Sequence, residues 1–286
     1  MNINDIIIGD CFSKINCIDD DTIDLIVTSP PYADIKTYGK KGNIYHPDNY
    51  NEWILPLFHE MYRVLKSTGS IIFNIGDKAM KKKRHTFALD LPGKVIRETD
   101  LRFYDRYFWH KKTLPNSNQK RLNNFTEFIY HFVKDETDIK FNMDDVREEY
   151  SEASKKRFKT PINLYKETDT GEKEIYRDKL VKINPKGKIP DGMFTFSTNS
   201  NTRGNKHPAP FSLELPSWFI KAFTDEDDIV LDPFMGSGTT AEAAILMNRN
   251  WIGIEKNEVY VSMIKERVNK PMYQLFNKKY LTPFEI

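Results

Sequence analysis

The sequence of 286 residues predicts an α/β fold in which helices flank a mostly parallel central sheet. Short runs rich in Ile and Val, bounded by Gly, Asp or Pro, are typical of buried parallel strands. These runs alternate with segments of helical periodicity, as expected for an α/β sandwich. One long polar stretch interrupts the alternation, which indicates a region inserted into the α/β body.

The N-terminal part begins with two predicted strands, Asp5–Ile8 and Ile23–Thr28. Between residues 50 and 66 apolar residues recur at spacings of three and four, which predicts a helix with one buried face. We expect Ser67-Thr68-Gly69 to stop that helix. Further predictions are a strand over residues 70–75, a helix over 87–97, and strands near 104–109 and 125–133.

The polar stretch spans residues 138–205, shows little apolar periodicity and contains turn-prone segments at 184–187 and 197–204. Regular structure is predicted to resume with helices over 213–223, 240–248 and 258–268 and strands over 229–231 and 251–254. The predicted domain organisation is therefore one α/β domain in two halves, residues 1–137 and 206–286, with residues 138–205 as the insertion between them.

The composition is 39% hydrophobic and 29% charged, as in soluble globular proteins. We find no run of about 18 apolar residues that would cross a membrane and no secretory leader, so we expect a cytoplasmic protein. The two cysteines, Cys11 and Cys17, exclude a disulfide framework. None of the six histidines has a metal-ligand spacing, so no metal is expected.

The net charge of +2 conceals two basic segments on an acidic remainder. Residues 78–112 contain 11 Lys or Arg and 4 Asp or Glu, and residues 150–206 contain 13 and 7. Such segments favour a polyanionic partner, because neutralising phosphates is the main nonspecific source of nucleic-acid affinity. The alternative is that both are solvated faces with no partner.

A glycine-rich turn at residues 232–240 follows one predicted strand and precedes a helix. Such turns let the backbone approach a ligand and direct helix N-terminal amides at it. Glu255 ends the next predicted strand, where a carboxylate can accept hydrogen bonds from both hydroxyls of a ribose. The combination indicates an adenosine-containing cofactor without distinguishing S-adenosylmethionine from a dinucleotide. A tight turn without a ligand is the alternative.

A second motif, Thr28-Ser29-Pro30-Pro31-Tyr32, lies at the C-terminal end of a predicted strand. The prolines leave carbonyls without local amide partners, Ser29 adds another acceptor, and Tyr32 adds an aromatic face. These groups can hold an amino group attached to a flat ring and favour the pyramidal nitrogen whose lone pair attacks an electrophilic methyl group. An ordinary proline turn is the alternative.

With both motifs the sequence resembles the β group of DNA amino-methyltransferases, in which the catalytic motif precedes the S-adenosylmethionine-binding motif. The resemblance spans nearly the whole chain and includes Gly9-Asp10, residues 109–112 with 120–122, and residues 207–211 with Leu215-Pro216. It implies a Rossmann-like methyltransferase fold, S-adenosylmethionine as cofactor and double-stranded DNA as partner. It also implies either a cognate restriction endonuclease acting separately or a solitary modification enzyme.

The resemblance implies site residues, each at a matching motif position. The catalytic residues are Ser29, Pro30, Pro31 and Tyr32. The cofactor-binding residues are Asp10, Pro208, Pro210, Phe211, Asp232, Pro233, Phe234, Gly236, Gly238, Thr239 and Glu255. In this family a Ser at the first catalytic position goes mostly with cytosine-N4, and an acidic residue or Asn mostly with adenine-N6. Ser29 therefore favours cytosine-N4, on a base flipped out of the duplex.

The insertion occupies the place where this group carries its target-recognition region. Residues of types that contact phosphates or base edges are Lys81, Lys82, Lys83, Arg84, Lys155, Lys156, Arg157, Lys159, Asn199, Asn201 and Arg203. A solvated surface is the alternative for each of them.

Three other functions stay open: adenine-N6 methylation of DNA, methylation of RNA or of a protein amide, and a catalytically silent nucleic-acid-binding module. The late position of the cofactor motif argues against an RNA or protein substrate. The intact motifs at 29–32 and 232–238 argue against a silent module.

Overall fold

The computed structural model describes residues 2–32, 46–77, 79–80, 83–111, 126–159, 162–168, 173–179, 183–196 and 212–270. Within these ranges the α/β class is confirmed, because a mostly parallel sheet of eight strands combines with helices. No helix among the described residues is long and apolar enough to span a membrane.

The strands are β1 Asp5–Ile8, β2 Ile23–Thr28, β3 Leu65–Ile75, β4 Ala79–Met80, β5 Lys83–Arg84, β6 Arg102–His110, β7 Thr126–Val133, β8 Ile162–Glu167, β9 Lys173–Lys179, β10 Met193–Phe194, β11 Ile229–Asp232 and β12 Asn250–Glu255. The α-helices are α1 Cys11–Lys14, α2 Tyr50–Val64, α3 Phe87–Glu98, α4 Glu152–Arg157, α5 Glu214–Phe223, α6 Thr239–Leu246 and α7 Glu258–Asn269. Short 3₁₀ helices lie at Ile15–Cys17, Pro47–Asn49 and Met143–Val146.

The main sheet has the strand order β1-β12-β11-β2-β3-β7-β6-β10. From β1 to β3 all neighbours pair in parallel. Strand β7 runs antiparallel to both β3 and β6. The carboxyl ends of β1, β12, β11, β2, β3 and β6 therefore meet at the edge of the sheet where β7 begins.

Two rows of helices cover the sheet, α1 with α2 and α3, and α5 with α6 and α7. Ile71, Phe73 and Ile75 of β3 belong to the same apolar core as α2 and α3. The intervening Ile72 is also buried but lies outside that cluster. Since successive strand side chains point to opposite faces, the two rows cover the two faces of the sheet.

The prediction that Ser67-Thr68-Gly69 stops a helix ending near residue 66 is wrong. Helix α2 ends at Val64, and Leu65 is already extended as the first residue of β3. The register shifts at this point, because Ile23 pairs with Leu65 whereas Leu25 pairs with Ser70. The buried pairing of Leu65 with β2 outweighs the local turn preference of the Ser-Thr-Gly segment.

The chain divides into two compact units, residues 142–191 and the remainder. The smaller unit contains α4, the antiparallel hairpin of β8 and β9, and a bridge between Glu148 and Lys188. Sequence periodicity did not predict this hairpin. The predicted insertion 138–205 contains the unit, but its boundaries remain a prediction, and residues 197–205 lie outside the described part.

Candidate active site

The carboxyl edge of the main sheet collects both sequence motifs. Strand β2 ends at Thr28 and leads into Ser29, while β11 ends at Asp232 and leads into the glycine-rich turn. Leu231 of β11 pairs with Ile26 of β2, so the two motifs leave neighbouring strands. The structure therefore brings the residues of the two motifs, 28–32 and 232–240, to one edge.

Glu255, the last residue of β12, is held by main-chain amides. Its Oε2 accepts a hydrogen bond from the Gly236 amide at 2.9 Å, and its Oε1 accepts one from the Asn257 amide at 2.8 Å. Burial raises the pKa of this carboxyl. Each oxygen keeps a further lone pair, so the carboxylate is fixed yet able to accept two hydroxyl protons.

The turn before α6 uses two glycines in the left-handed region, Gly236 at φ 53° and Gly238 at φ 82°. A Cβ on Gly238 would lie 3.2 Å from the Cα of Ile264 in α7. Glycine at 238 thus satisfies both the backbone conformation and the close packing of α7. Helix α6 begins directly after the turn, at Thr239.

Asp232 ties the two motifs together. Its Oδ1 accepts from the Thr28 hydroxyl at 2.8 Å and from the Phe234 amide at 3.0 Å, and its Oδ2 accepts from the Thr240 hydroxyl at 2.7 Å. Burial raises the pKa of Asp232 to about 6. This carboxylate connects β2 to the glycine-rich turn, and its predicted contact with the cofactor stays a prediction.

Aromatic side chains lie beside this turn. The ring centroid of Trp53 in α2 is 6.2 Å from that of Phe234 and 5.3 Å from that of Phe12. Asp10 caps α1 by accepting the Phe12 amide at 3.1 Å, and its half-exposed carboxylate lies 3.9 Å from Lys256 Nζ. The fixed carboxylate of Glu255, the apolar rings of Phe234 and Trp53, and the left-handed glycine turn fit an adenosine moiety such as that of S-adenosylmethionine.

The catalytic motif forms a hydrogen-bonded cluster with a residue of β3. Ser29 Oγ lies 2.9 Å from the Tyr32 hydroxyl. The amide nitrogen of Asn74 lies 2.7 Å from the Tyr32 hydroxyl and 3.2 Å from Ser29 Oγ, and its two N–H groups are shared among these hydroxyls and the Glu127 carboxylate. Asn74 is 1% exposed, so the hydroxyls are held by a buried, rigid donor.

A carboxylate completes this cluster. Glu127, near the start of β7, accepts from the Tyr32 hydroxyl and from the Asn74 amide, each at 2.9 Å on Oε2. Its other oxygen, Oε1, accepts from the ammonium group of Lys111. The Lys111 ammonium also lies 4.7 Å from the ring centroid of Trp109. We call Ser29, Tyr32, Asn74, Glu127 and Lys111 the catalytic cluster.

Gly76 makes room for the catalytic cluster. A Cβ at this position would lie 3.0 Å from Glu127 Oε1 and 3.0 Å from Tyr32 Cε2. Both neighbours are held by several hydrogen bonds, so neither can move away freely. A glycine directly after β3 therefore permits the carboxylate and the phenol to approach each other.

Sequence reasoning missed Asn74, Glu127 and Lys111 as site residues. Two weak signals were present: a polar residue near the end of an apolar strand, and an acidic residue at the start of an aromatic one. Neither pattern says that the two strands are neighbours. That information comes only from the pairing of Ile75 with Phe128 in the sheet.

Several predicted residues lie outside the described part of the chain or only partly within it. Residues outside it are Lys81, Lys82, Asn199, Asn201, Arg203, Pro208, Pro210 and Phe211, and Lys83 is described only through its backbone in β5. Their predicted roles remain predictions. Among the described residues no group of His, Cys, Asp and Glu forms a candidate metal site.

The basic residues within the described part of the chain differ in whether an acidic side chain already pairs with them. Arg84 donates to Asp77 at 2.5 Å, so a phosphate would have to compete with this ion pair. Lys155 in α4 pairs with Glu152, whereas Lys156, Arg157 and Lys159 are exposed. DNA contact by these residues stays a prediction.

A model of the DNA methylase family matches residues 23–266. The orphan methyltransferase M.BamHII of Bacillus amyloliquefaciens is 30% identical over 278 residues, which cover 95% of this chain and 94% of that protein. The Type II methyltransferase M.PvuII of Proteus hauseri is 28% identical over 275 residues, covering 89% and 80%.

Solved structures agree in fold. The PvuII DNA methyltransferase, described as cytosine-N4-specific, has a TM-score of 0.70 at 22% identity and covers 96% of this chain and 90% of that one. A DNA modification methylase from Thermus thermophilus, complexed with S-adenosyl-L-methionine, has a TM-score of 0.57 at 21% identity, covering 92% and 93%. The predicted Rossmann-like methyltransferase fold is confirmed by these matches.

Proposed function

The chain belongs to the DNA methylase family, and from that premise we propose that it transfers a methyl group from S-adenosylmethionine to the exocyclic N4 of cytosine in DNA. The predicted identification as a β-group DNA amino-methyltransferase is confirmed. The choice of cytosine-N4 over adenine-N6 is our proposal.

The observation that carries the proposal is the fixed orientation of the Ser29 hydroxyl in the catalytic cluster. Its hydroxyl is fixed by Asn74 and Tyr32, so it presents an oriented acceptor at the carboxyl edge. A neutral Ser at this motif position supports cytosine as the target base. The cytosine-N4 specificity stated for the PvuII enzyme, whose fold the chain shares, supports the same choice.

The cofactor would be held by Glu255 at its ribose, by the turn containing Gly236 and Gly238, and beside Phe234. When bound there, S-adenosylmethionine supplies an electrophilic methyl group on a sulfonium. The fixed carboxylate of Glu255 and the left-handed glycines are the features of this structure that fit it.

The base would be held by the catalytic motif. Ser29 and a carbonyl of the Pro30-Pro31 pair accept the two hydrogens of the amino group, which favours a pyramidal nitrogen. The ring of Tyr32 offers a stacking face, and its hydroxyl is already anchored by Glu127. Because these groups cannot reach a base stacked inside a duplex, the target base is flipped out.

DNA would be held through the basic segments. Lys156, Arg157 and Lys159 are exposed cations on and after α4. Phosphate contacts of this kind position a duplex without reading its sequence. Base reading would fall to residues of the predicted insertion.

The test is methyl transfer from radiolabelled S-adenosylmethionine to duplex DNA, with RNA and protein as parallel substrates. We expect label only in DNA and, after enzymatic hydrolysis to nucleosides, only in N4-methylcytosine. Label in N6-methyladenine would refute the cytosine assignment but keep DNA amino-methylation. Label in RNA or protein alone would refute the proposed function as a whole.

A further inference from the structure

Glu127 is a buried carboxylate that none of the binding roles above requires. It is 8% exposed, and its two oxygens receive three hydrogen bonds, from Tyr32, Asn74 and Lys111. The Lys111 ammonium balances its charge on one side, at Oε1. The other oxygen, Oε2, accepts from the Tyr32 hydroxyl of the catalytic motif and from Asn74.

The hydrogens in this cluster can be assigned by counting. Tyr32 has a single hydroxyl proton, and it donates that proton to Glu127 Oε2. The contact between Ser29 and Tyr32 must then use the proton of Ser29, because a hydroxyl has one proton and two acceptor sites. Ser29 Oγ lies 3.2 Å from Asn74 Nδ2, whose two N–H groups are shared among Ser29, Tyr32 and Glu127, so Ser29 Oγ keeps at least one acceptor site for an incoming N–H.

The resulting order is a directed chain from Ser29 Oγ through Tyr32 to Glu127 Oε2. Every donor in it points toward the carboxylate. Its first member is the atom that the proposed function places against the amino group of the base. Its last member is a base that can take up one proton.

The proposed reaction requires such a path. When nitrogen bonds to the methyl carbon and the sulfur keeps the electron pair of the broken bond, the nitrogen carries one excess proton. We propose that this proton passes to Ser29 Oγ while the Ser29 proton moves to Tyr32 and the Tyr32 proton moves to Glu127. Each of the two hydroxyl oxygens gains one proton and loses one, the methylated nitrogen loses its excess proton, and Glu127 gains one and ends as the neutral acid. This inference rests on the proposed function.

Other acceptors near the catalytic cluster are already engaged. Asn74 presents N–H groups to the cluster, its side-chain oxygen makes no hydrogen bond in the described part of the chain, and a neutral amide is too weakly basic to take up the proton. Asp77 is paired with Arg84, and Asp232 accepts from two threonines and a main-chain amide. Tyr32 and Lys111 are the titratable groups that the structure places on the Glu127 carboxylate.

The test compares Glu127→Gln, Tyr32→Phe and the double variant under single turnover with saturating S-adenosylmethionine and DNA. Glu127→Gln keeps the size of the side chain and removes the proton acceptor. We expect methyl transfer to slow by about 100-fold or more, and its dependence on pH to flatten. Tyr32→Phe keeps the ring and breaks the chain, so a loss of the same order is expected.

The double variant separates a shared path from independent roles. If Ser29, Tyr32 and Glu127 form one path, the double variant transfers the methyl group no more slowly than the slower of the two single variants. Glu136→Gln, an exposed carboxylate just after β7, is the matched control and keeps the wild-type rate. Multiplicative losses in the double variant would overturn the proposal, as would a Glu127→Gln enzyme that keeps the wild-type pH profile.

A readout without turnover tests the hydrogen bond itself. Infrared difference spectroscopy of the protein alone should show a carboxylate stretching band that is absent in Glu127→Gln and shifted in Tyr32→Phe. An unshifted band in Tyr32→Phe would contradict the contact between phenol and carboxylate. If wild type methylates no DNA, the proposed function fails. If wild type and Glu127→Gln methylate DNA equally, only the relay fails.

Discussion

The two halves of the carboxyl edge are built differently. On the cofactor side, Glu255 and the glycine-rich turn lie within residues 232–257 and are joined mainly through main-chain amides. On the catalytic side, the side chains of Ser29, Asn74, Lys111 and Glu127 come from four separate segments. One half is a local motif, and the other exists only once the sheet has formed.

The difference predicts different responses to substitution. A buried network of side-chain hydrogen bonds loses more than one contact when a member is removed, because its partners are left unsatisfied. A carboxylate held by backbone amides loses its ligand contacts while the amides stay in place. Changes on the catalytic side should therefore affect rate, and changes on the cofactor side should affect cofactor affinity.

The largest effect is expected for Ser29→Ala. It removes the oriented acceptor, so methyl transfer should fall by about 100-fold or more while S-adenosylmethionine still binds. Single-turnover rates and calorimetric binding check the two parts. The control is Ser262→Ala on the exposed face of α7, which should change neither. An unchanged rate in Ser29→Ala would remove the catalytic assignment.

Glu255→Gln should have the converse effect. Replacing a charged acceptor by an amide should weaken S-adenosylmethionine binding by about 10- to 100-fold, and saturating cofactor should restore most of the rate. Calorimetry and the rate at saturation measure this. Glu258→Gln, in the exposed first turn of α7, serves as the control. A low rate that saturation does not restore would contradict the division between the two halves.

Two glycine substitutions, whose expected effects are smaller, test the same comparison between the two halves. Gly76→Ala puts a methyl group 3.0 Å from Glu127 Oε1, and a displaced carboxylate should slow transfer by about 10-fold. Gly238→Ala forces a side chain into the left-handed region against Ile264, which should cost about 1–3 kcal/mol of stability and weaken cofactor binding.

The control for both is Gly93→Ala in α3, where a Cβ would meet only the end of Arg97. Alanine is more favourable than glycine in the interior of a helix, so this variant should be up to about 1 kcal/mol more stable than wild type. Thermal unfolding, rates and cofactor binding would be measured for all three. Equal losses of cofactor affinity in Gly76→Ala and Gly238→Ala would show that the halves are not separable.

The smallest effect concerns Asp232, whose folded-state pKa is raised to about 6 by burial. The folded protein then binds this proton more tightly than the unfolded chain, so its contribution to stability is lost as pH rises. From about pH 5 to about pH 7, the stability of wild type relative to Asp232→Asn should fall by about 1 kcal/mol. Denaturant unfolding at both pH values checks the sign, and a rising difference would contradict it.

Local patterns predicted most of the scaffold. The range Ile23–Thr28 was predicted with the bounds that β2 has, and α5, α6 and α7 lie within a few residues of their predicted ranges. Alternation and helical periodicity suffice there because each element buries the face that its own sequence makes apolar. The start of β3 at Leu65 was missed, because pairing with β2 decided it.

By itself the sequence determined the α/β alternation and the two motifs in their order, and it predicted Glu255 as the ribose acceptor. Only the tertiary structure decided that Asn74, Lys111 and Glu127 join Ser29. The physical reason is that β7 runs antiparallel between β3 and β6, which brings its first residues to the edge where the neighbouring strands end. Side-chain contacts across such long-range pairings depend on strand order, which no short stretch of sequence encodes.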